Sequence, residues 1–270
     1  MPEDLIAGQR IAWRHWDRGA GRHTLAIHCS LAHAGAWAGL AEMLPEISLT
    51  AMDQPGHGRS EDWRPGSDLH ALTTAAATVL AQRLAASGPV DLFGHSFGAT
   101  VCLRLALERP DLIRSLVLVE PVLFAAARGT PVFAEFARAQ ADLPTATPED
   151  RLASASRFHA LWGDGRPLAS LPERQMRYIL DRIHIIPAQN RVLLDDAAGL
   201  LRPGGLEALS RPVLLVEGGE SPAVIPAIQA ALAARLPQAR RVVLDGAGHM
   251  APITHPGPLA DAIRRHLQES

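Results

Sequence analysis

Two short segments of this chain carry side chains that could do chemistry together. The first is Gly94-His95-Ser96-Phe97-Gly98, which follows the apolar run Val90-Asp91-Leu92-Phe93 and leads into an Ala- and Leu-rich stretch with helical spacing. A serine between two glycines on a strand-to-helix turn has its hydroxyl held out of the sheet, and glycine is needed on either side because larger side chains would collide with neighbouring backbone. The helix N-terminus beneath it favours developing negative charge. The second segment is Leu244-Asp245-Gly246-Ala247-Gly248-His249-Met250, a glycine-rich loop after the last apolar run. A neutral imidazole is well matched to taking a hydroxyl proton near neutral pH and returning it to a leaving group. Ser96 and His249 therefore read as a nucleophile and its general base, a pairing suited to acyl transfer. The bland alternatives are an accidental Gly-x-Ser-x-Gly turn and a surface loop histidine; the strand before Gly94 and the helix after Gly98 argue against the first.

Such a pair has to be positioned by a scaffold, and the rest of the chain supplies one. Short apolar runs at 24–29, 47–52, 89–93, 114–119, 212–217 and 240–244 are buried-strand candidates. Helical segments lie between them at 35–44, 68–87, 97–109, 224–236 and 257–268, several with Arg or Glu opposite an apolar face. This alternation predicts a mostly parallel, twisted sheet with helices on both faces. Arg10–Asp17, ending in Gly19 and Gly21, is expected to form an antiparallel edge hairpin. From 121 to 208 the alternation stops, giving helix-like pieces punctuated by Pro131, Pro144, Pro148, Pro167, Pro172, Pro187 and Pro203. The expected organisation is one α/β core, 1–120 with 209–270, and a helical lid over 121–208.

Composition removes several function classes. The chain has 270 residues, 47% hydrophobic and 20% charged, within the range of one large globular domain. A formal net charge of −2 leaves no electrostatic footprint for nucleic acid or an anionic membrane. All 26 basic residues are arginine, so no lysine is present for Schiff-base chemistry. Cys29 and Cys102 read as small buried residues with no disulfide framework. Met1-Pro2-Glu3-Asp4 does not begin a basic-then-apolar leader, and no uninterrupted apolar stretch approaches the roughly 18 residues of a membrane span. A cytoplasmic protein without membrane insertion is expected. No metal-ligand spacing, phosphate loop or dinucleotide fingerprint appears, so no metal or cofactor is expected. Oligomeric state is not encoded legibly.

With these residues in view, the chain resembles the α/β-hydrolase fold superfamily of esterases, lipases and C–C hydrolases, over about 20–120 and 210–268. Asp53-Gln-Pro-Gly-His-Gly-Arg-Ser60 is similar to that family's Asp-x-Pro-Gly-His-Gly-x-Ser loop, which makes His57 structural. Leu25-Ala-Ile-His28-Cys29-Ser30-Leu31 stands where the family has its His-Gly-x oxyanion loop, with Cys29 in place of glycine. The resemblance implies an oxyanion hole from the backbone N–H groups of Ser30 (or Leu31) and Phe97. It also implies an aspartate in a Gly-x-x-Asp pattern after the strand at 212–217, where this chain has Ser221. Glu120, Glu220 and Glu217 are the carboxylates that could replace it. Glu120 is preferred, with Glu220 second, because a subset of the superfamily that includes haloalkane dehalogenases places a glutamate just after the strand that follows the nucleophile helix. Family members that displace halide or open epoxides carry aspartate in the place of Ser96, so the resemblance implies acyl chemistry here.

The expected activity is hydrolysis of a carboxylic ester of a small to medium molecule through an acyl-enzyme on Ser96. C–C bond or lactone hydrolysis on the same residues is the alternative enzyme reading, and a catalytically weak ligand-binding homologue is the alternative from another class. Candidate pocket residues are His28, His33, Trp37, Phe133, Trp162 and Tyr178, with His28 read preferentially as a packed residue that orients its loop. His159, His184, Arg177 and Arg182 could meet a substrate carboxylate, although solvated helix faces explain them equally well.

Overall fold

The computed structural model describes residues 1–140 and 143–270. Eight strands form one sheet: β1 (Glu3–Ile6), β2 (Gln9–Trp16), β3 (His23–Ile27), β4 (Ser48–Met52), β5 (Val90–His95), β6 (Ile113–Val119), β7 (Val213–Gly218) and β8 (Ala239–Leu244). Their spatial order is β1-β2-β4-β3-β5-β6-β7-β8; β2 runs antiparallel to β1 and β4, and every other pairing is parallel. The helices are α1 (Ala38–Met43), α2 (Leu69–Leu84), α3 (Phe97–Glu108), α4 (Pro131–Gln140), α5 (Pro148–Trp162), α6 (Glu173–Arg182), α7 (Ile185–Leu193), α8 (Val224–Ala233), α9 (Ala251–Thr254) and α10 (Pro256–Gln268).

The central strands are apolar runs because both faces of the sheet are covered. Period-two alternation sorts them cleanly: Leu25, Ile27, Leu92, Leu116, Leu118 and Leu215 face one core with α2, α3 and α8. Ala26, Ala51, Phe93, Val117, Val119, Leu214 and Val216 face the other, with Leu40 of α1 and Leu259 and Ile263 of α10. Helix starts follow local chemistry. Asp68 accepts from Ala71 N–H to cap α2, and Thr147 with Asp150 forms a capping box before α5, where Pro148 takes the first turn.

The edge hairpin differs from the expected one. Gln9–Trp16 is a single strand, and its hairpin partner is β1, upstream, across the two-residue turn Ala7-Gly8. Both turn residues have positive φ, 50° and 80°, the twist that a tight antiparallel turn needs. The helical stretch at 35–44 also splits, with a 3-10 turn (Ala34–Trp37) preceding α1 because the His33 side chain caps it through Gly35 N–H.

Between β6 and β7 the described residues form α4 to α7 and short 3-10 turns, with no strand. No helix of the described residues is long and apolar enough to cross a membrane. The connection from β3 leads through α1 to β4 on one side, whereas α2 returns the chain to β5 on the other side of β3. The crevice at the carboxyl ends of β3 and β5 is therefore the topological switch point, the place where open α/β sheets bind ligands.

Candidate active site

Ser96 directly follows β5 and caps α3 with φ 57° and ψ −120°, a conformation that L-residues rarely adopt. The flanking glycines make this turn possible by close approach. A Cβ on Gly98 would stand 2.3 Å from Ile27 O and 2.5 Å from His28 O, and one on Gly94 would stand 2.4 Å from Ala99 Cα. The elbow is thus wedged against the end of β3, with Ser96 N–H donating to Val119 O at 2.9 Å.

His249 reaches the elbow from the loop after β8. Its Nε2 lies 3.0 Å from Ser96 Oγ and its Nδ1 lies 2.9 Å from Glu120 Oε2. Ser96, His249 and Glu120 are all buried. The loop is brought in by Gly218, where a Cβ would lie 2.2 Å from Ala247 O, and by Glu220 N–H donating to Ala247 O. From below, His95 Nε2–H donates to the His249 carbonyl at 2.8 Å. From above, the Trp162 ring meets the His249 ring edge-on at 4.6 Å, backed by Phe124 and Phe136. These aromatics exclude water from one side of the imidazole.

Glu120 leaves β6 with φ 53° and spends its other oxygen, Oε1, on Gly218 N–H (2.6 Å) and the Ser221 hydroxyl (2.8 Å). Ser221, in the place where the resemblance leads one to look for aspartate, is therefore a hydrogen-bond donor to the glutamate on the neighbouring strand end. Glu220 is solvent-exposed, and Glu217, buried, pairs with Arg241 at 2.7 Å; neither meets His249. Of the five non-glycine residues with positive φ among the described residues, three are Leu31, in the loop after β3, and Ser96 and Glu120, directly after β5 and β6. Backbone strain of this kind, about 1–3 kcal/mol per residue, collects where geometry is fixed for function.

The loop after β3 supplies free donors. Leu31 N–H is engaged by His57 Nε2 at 3.2 Å, whereas neither Ser30 N–H nor Phe97 N–H has an acceptor among the described residues. This loop is held by a set of neutral histidines. His28 donates from Nδ1 to Cys29 O and accepts Gln54 N–H at Nε2; His57 donates from Nδ1 to Pro55 O. Burial pushes both imidazoles down to about 3, and pushes His95 well below its ordinary value. Cys29 and Cys102 are free and buried, and burial raises the Cys29 thiol to about 12.

These buried histidines have a measurable consequence. His28, His57 and His70 are each pushed to about 3, mainly by burial, against about 6.5 in an unfolded chain. Between those values the unfolded chain binds more protons, so stability rises with pH and is lost as pH falls below about 6.5. Each residue costs about 2 kcal/mol at pH 5. Urea midpoints are expected to drop steeply between pH 7 and pH 5, and a flat profile there would contradict the neutral buried assignment.

A cavity of about 1050 Å³ opens beside the site, lined by Ser30, His33, Phe158, Trp162, Tyr178 and Met250 among others. Trp162, which meets the His249 ring, is among its lining residues; Ser96 and His249 are not. Tyr178 spans the α6 helix and the core, donating to Ala32 O (2.9 Å) and accepting Gly58 N–H (2.8 Å). Three expected pocket residues are elsewhere. His28 is fully buried with both ring nitrogens in use, Trp37 is core on the far face of the sheet, and Phe133 packs on α4 against the main core. His159 lines the cavity and Arg182 stacks on Tyr178 at 3.9 Å, whereas Arg177 pairs with Glu173 and His184 stacks on Trp63. Sequence reading missed Gln189, whose Oε1 accepts from the Ser30 hydroxyl at 2.9 Å and ties α7 to the loop after β3. No local pattern marks it.

Over most of its length the chain is similar to known proteins. The model of the family described as "alpha/beta hydrolase fold" matches residues 25–256. Lipase LipV of Mycobacterium tuberculosis is 31% identical over 259 residues, covering 90% of this chain and 92% of that protein. A pimeloyl-[acyl-carrier protein] methyl ester esterase of Xanthomonas campestris is 29% identical over 261 residues, covering 92% and 96%. Among solved structures, an alpha/beta hydrolase from Sphaerobacter thermophilus superposes with a TM-score of 0.73 at 22% identity, covering 98% of this chain and 100% of that one.

Proposed function

The chain belongs to the alpha/beta hydrolase fold family, and from that premise we propose that it is a carboxylic ester hydrolase acting through an acyl-enzyme on Ser96. The observation that carries this reading is the continuous line Ser96 Oγ, His249 Nε2, His249 Nδ1, Glu120 Oε2, with steps of 3.0 and 2.9 Å across the ring. Similarity to a lipase and to a methyl ester esterase supports the same class of bond.

Ser96 Oγ attacks the ester carbonyl as His249 Nε2 takes its proton. Glu120 holds the imidazole with Nδ1–H toward itself, leaving Nε2 as the base, and stabilises the imidazolium that forms. The Ser30 and Phe97 N–H groups, without acceptors of their own, receive the developing oxyanion. The imidazolium then protonates the leaving alcohol, and the same nitrogen activates water to release the acid. Helices α4 to α7 act as a lid over this chemistry, with Trp162 shielding the imidazole.

A fluorophosphonate probe is expected to label the protein once, at Ser96, and a series of p-nitrophenyl esters is expected to be hydrolysed. Labelling at another residue, or none, would remove the acyl-enzyme reading.

A further inference from the structure

Charge is spread unevenly over the cavity beside Ser30 and Trp162. Five arginines line it: Arg14, Arg59, Arg166, Arg174 and Arg182. Two are committed, Arg166 to Asp164 and Arg182 to Gly56 O and the Tyr178 ring. Arg14 on β2, Arg59 after β4 and Arg174 on α6 come from three elements far apart in sequence, and none has a carboxylate within ion-pair distance among the described residues. Two carboxylates line it as well, and neither is ion-paired to these three arginines. Asp53 accepts Ala34 and Arg59 N–H, and Asp164 holds Arg166.

One of these guanidinium groups, that of Arg14, lies close to His33. A Cβ on Gly35 would stand 2.6 Å from His33 Cε1 and 3.6 Å from Arg14 Cζ, so ring and guanidinium meet over one glycine. The same ring meets Tyr178 edge-on at 6.1 Å, and Tyr178 stands one helical turn beyond Arg174 on α6, both lining the cavity. Burial holds His33 below the ordinary imidazole range; Asp53 opposes it as the largest charge effect, and the Arg14 and Arg174 charges act with burial. Five arginines against two aspartates leave the lining with a net positive charge, and an excess of like charge in a concave space raises the local positive potential and attracts an anion.

We infer that this end of the cavity is an anion-binding subsite, and that the ester cleaved at Ser96 carries a second group, a carboxylate or phosphate, held by Arg14, Arg59 and Arg174. The link to Ser96 rests on the ester-hydrolase reading; the subsite itself rests on the arginines. Guanidinium groups bind both oxyanions through charge-assisted, often paired hydrogen bonds.

The test reads binding without turnover, by calorimetry on Ser96→Ala protein. Monomethyl adipate is expected to bind about 10-fold or more tightly than its uncharged counterpart methyl hexanoate, with an advantage that shrinks at high salt. Arg14→Gln with Arg174→Gln should bring the two ligands to within about 2-fold, and either single change should erode the gap. Arg240→Gln, outside the cavity and paired with Glu269, should leave it intact. Methyl 5-(phosphonooxy)pentanoate separates the sources: tighter binding than the adipate ester assigns phosphate, weaker binding assigns carboxylate. Equal binding of charged and neutral esters overturns the subsite, as does a preference that survives the double substitution. Turnover of neutral esters by the unsubstituted protein with no charge preference would leave the hydrolase reading standing, whereas charge-dependent binding in a protein that cleaves none of these esters would remove that reading alone.

Discussion

Ser96→Ala is expected to lower ester turnover by about 10⁵-fold while leaving the fold intact. The substitution removes only Oγ. The β-carbon, the φ of 57° and the packing of Gly94 and Gly98 against Ala99 and Ile27 are all retained, so the elbow keeps its shape. What disappears is the atom 3.0 Å from His249 Nε2. With no hydroxyl to activate, the imidazole can only act on water, and the remaining rate comes from the oxyanion donors and from substrate binding. Ser96→Gly separates strain from chemistry. It loses the same activity, but glycine relieves the left-handed backbone, and thermal unfolding should move upward. Turnover within about 10-fold of the unsubstituted enzyme in Ser96→Ala would dismiss Ser96 as nucleophile.

The parts of the fold that were readable in the chain are those whose burial is symmetric. Leu116 to Val119 and Leu25 to Ile27 sit between two helical layers, so an uninterrupted apolar run is what the environment selects. β1 escaped notice for the opposite reason: three of its four residues are exposed, and it is ordered by pairing across Ala7-Gly8 rather than by an apolar pattern. Residues at the site divide in the same way. Ser96 and His249 stand in local patterns that glycine requires, because backbone must pass within contact distance of backbone.

Side chains that arrive from the inserted helices have no such local mark. Trp162 and Phe133 are equivalent as bulky residues on amphipathic helices, yet one meets the His249 ring and lines the cavity while the other packs only against the core cluster; the difference is made by how α4 and α5 dock, which is tertiary. Trp37 and His28 show the converse. Both lie near the mouth in sequence, but a buried 3-10 turn and a pair of satisfied ring nitrogens withdraw them from the cavity. Ser221 was visible only as a missing aspartate. Its hydroxyl has a role that becomes apparent when Glu120 is brought within 2.8 Å.

That contact makes Glu120→Gln the second large effect, with turnover expected to fall between about 10²- and 10⁴-fold. The carboxyl Oε1 accepts two hydrogen bonds, from Gly218 N–H and Ser221 Oγ, and both donors select an oxygen in that place. A glutamine must therefore turn its amide nitrogen toward His249 Nδ1. An N–H facing Nδ1 requires Nδ1 to accept, which puts the ring proton on Nε2, the nitrogen that has to take the proton of Ser96. The substitution thus keeps shape and packing but holds the imidazole in the unproductive tautomer, so kcat should fall with little change in KM, and labelling by a fluorophosphonate should slow in parallel. Glu220→Gln is the matched control, since that carboxylate is exposed and makes no contact with His249. If Glu120→Gln turned over normally while Glu220→Gln did not, the acid would belong to the loop after β7, and the hydrogen bond at 2.9 Å would be structural.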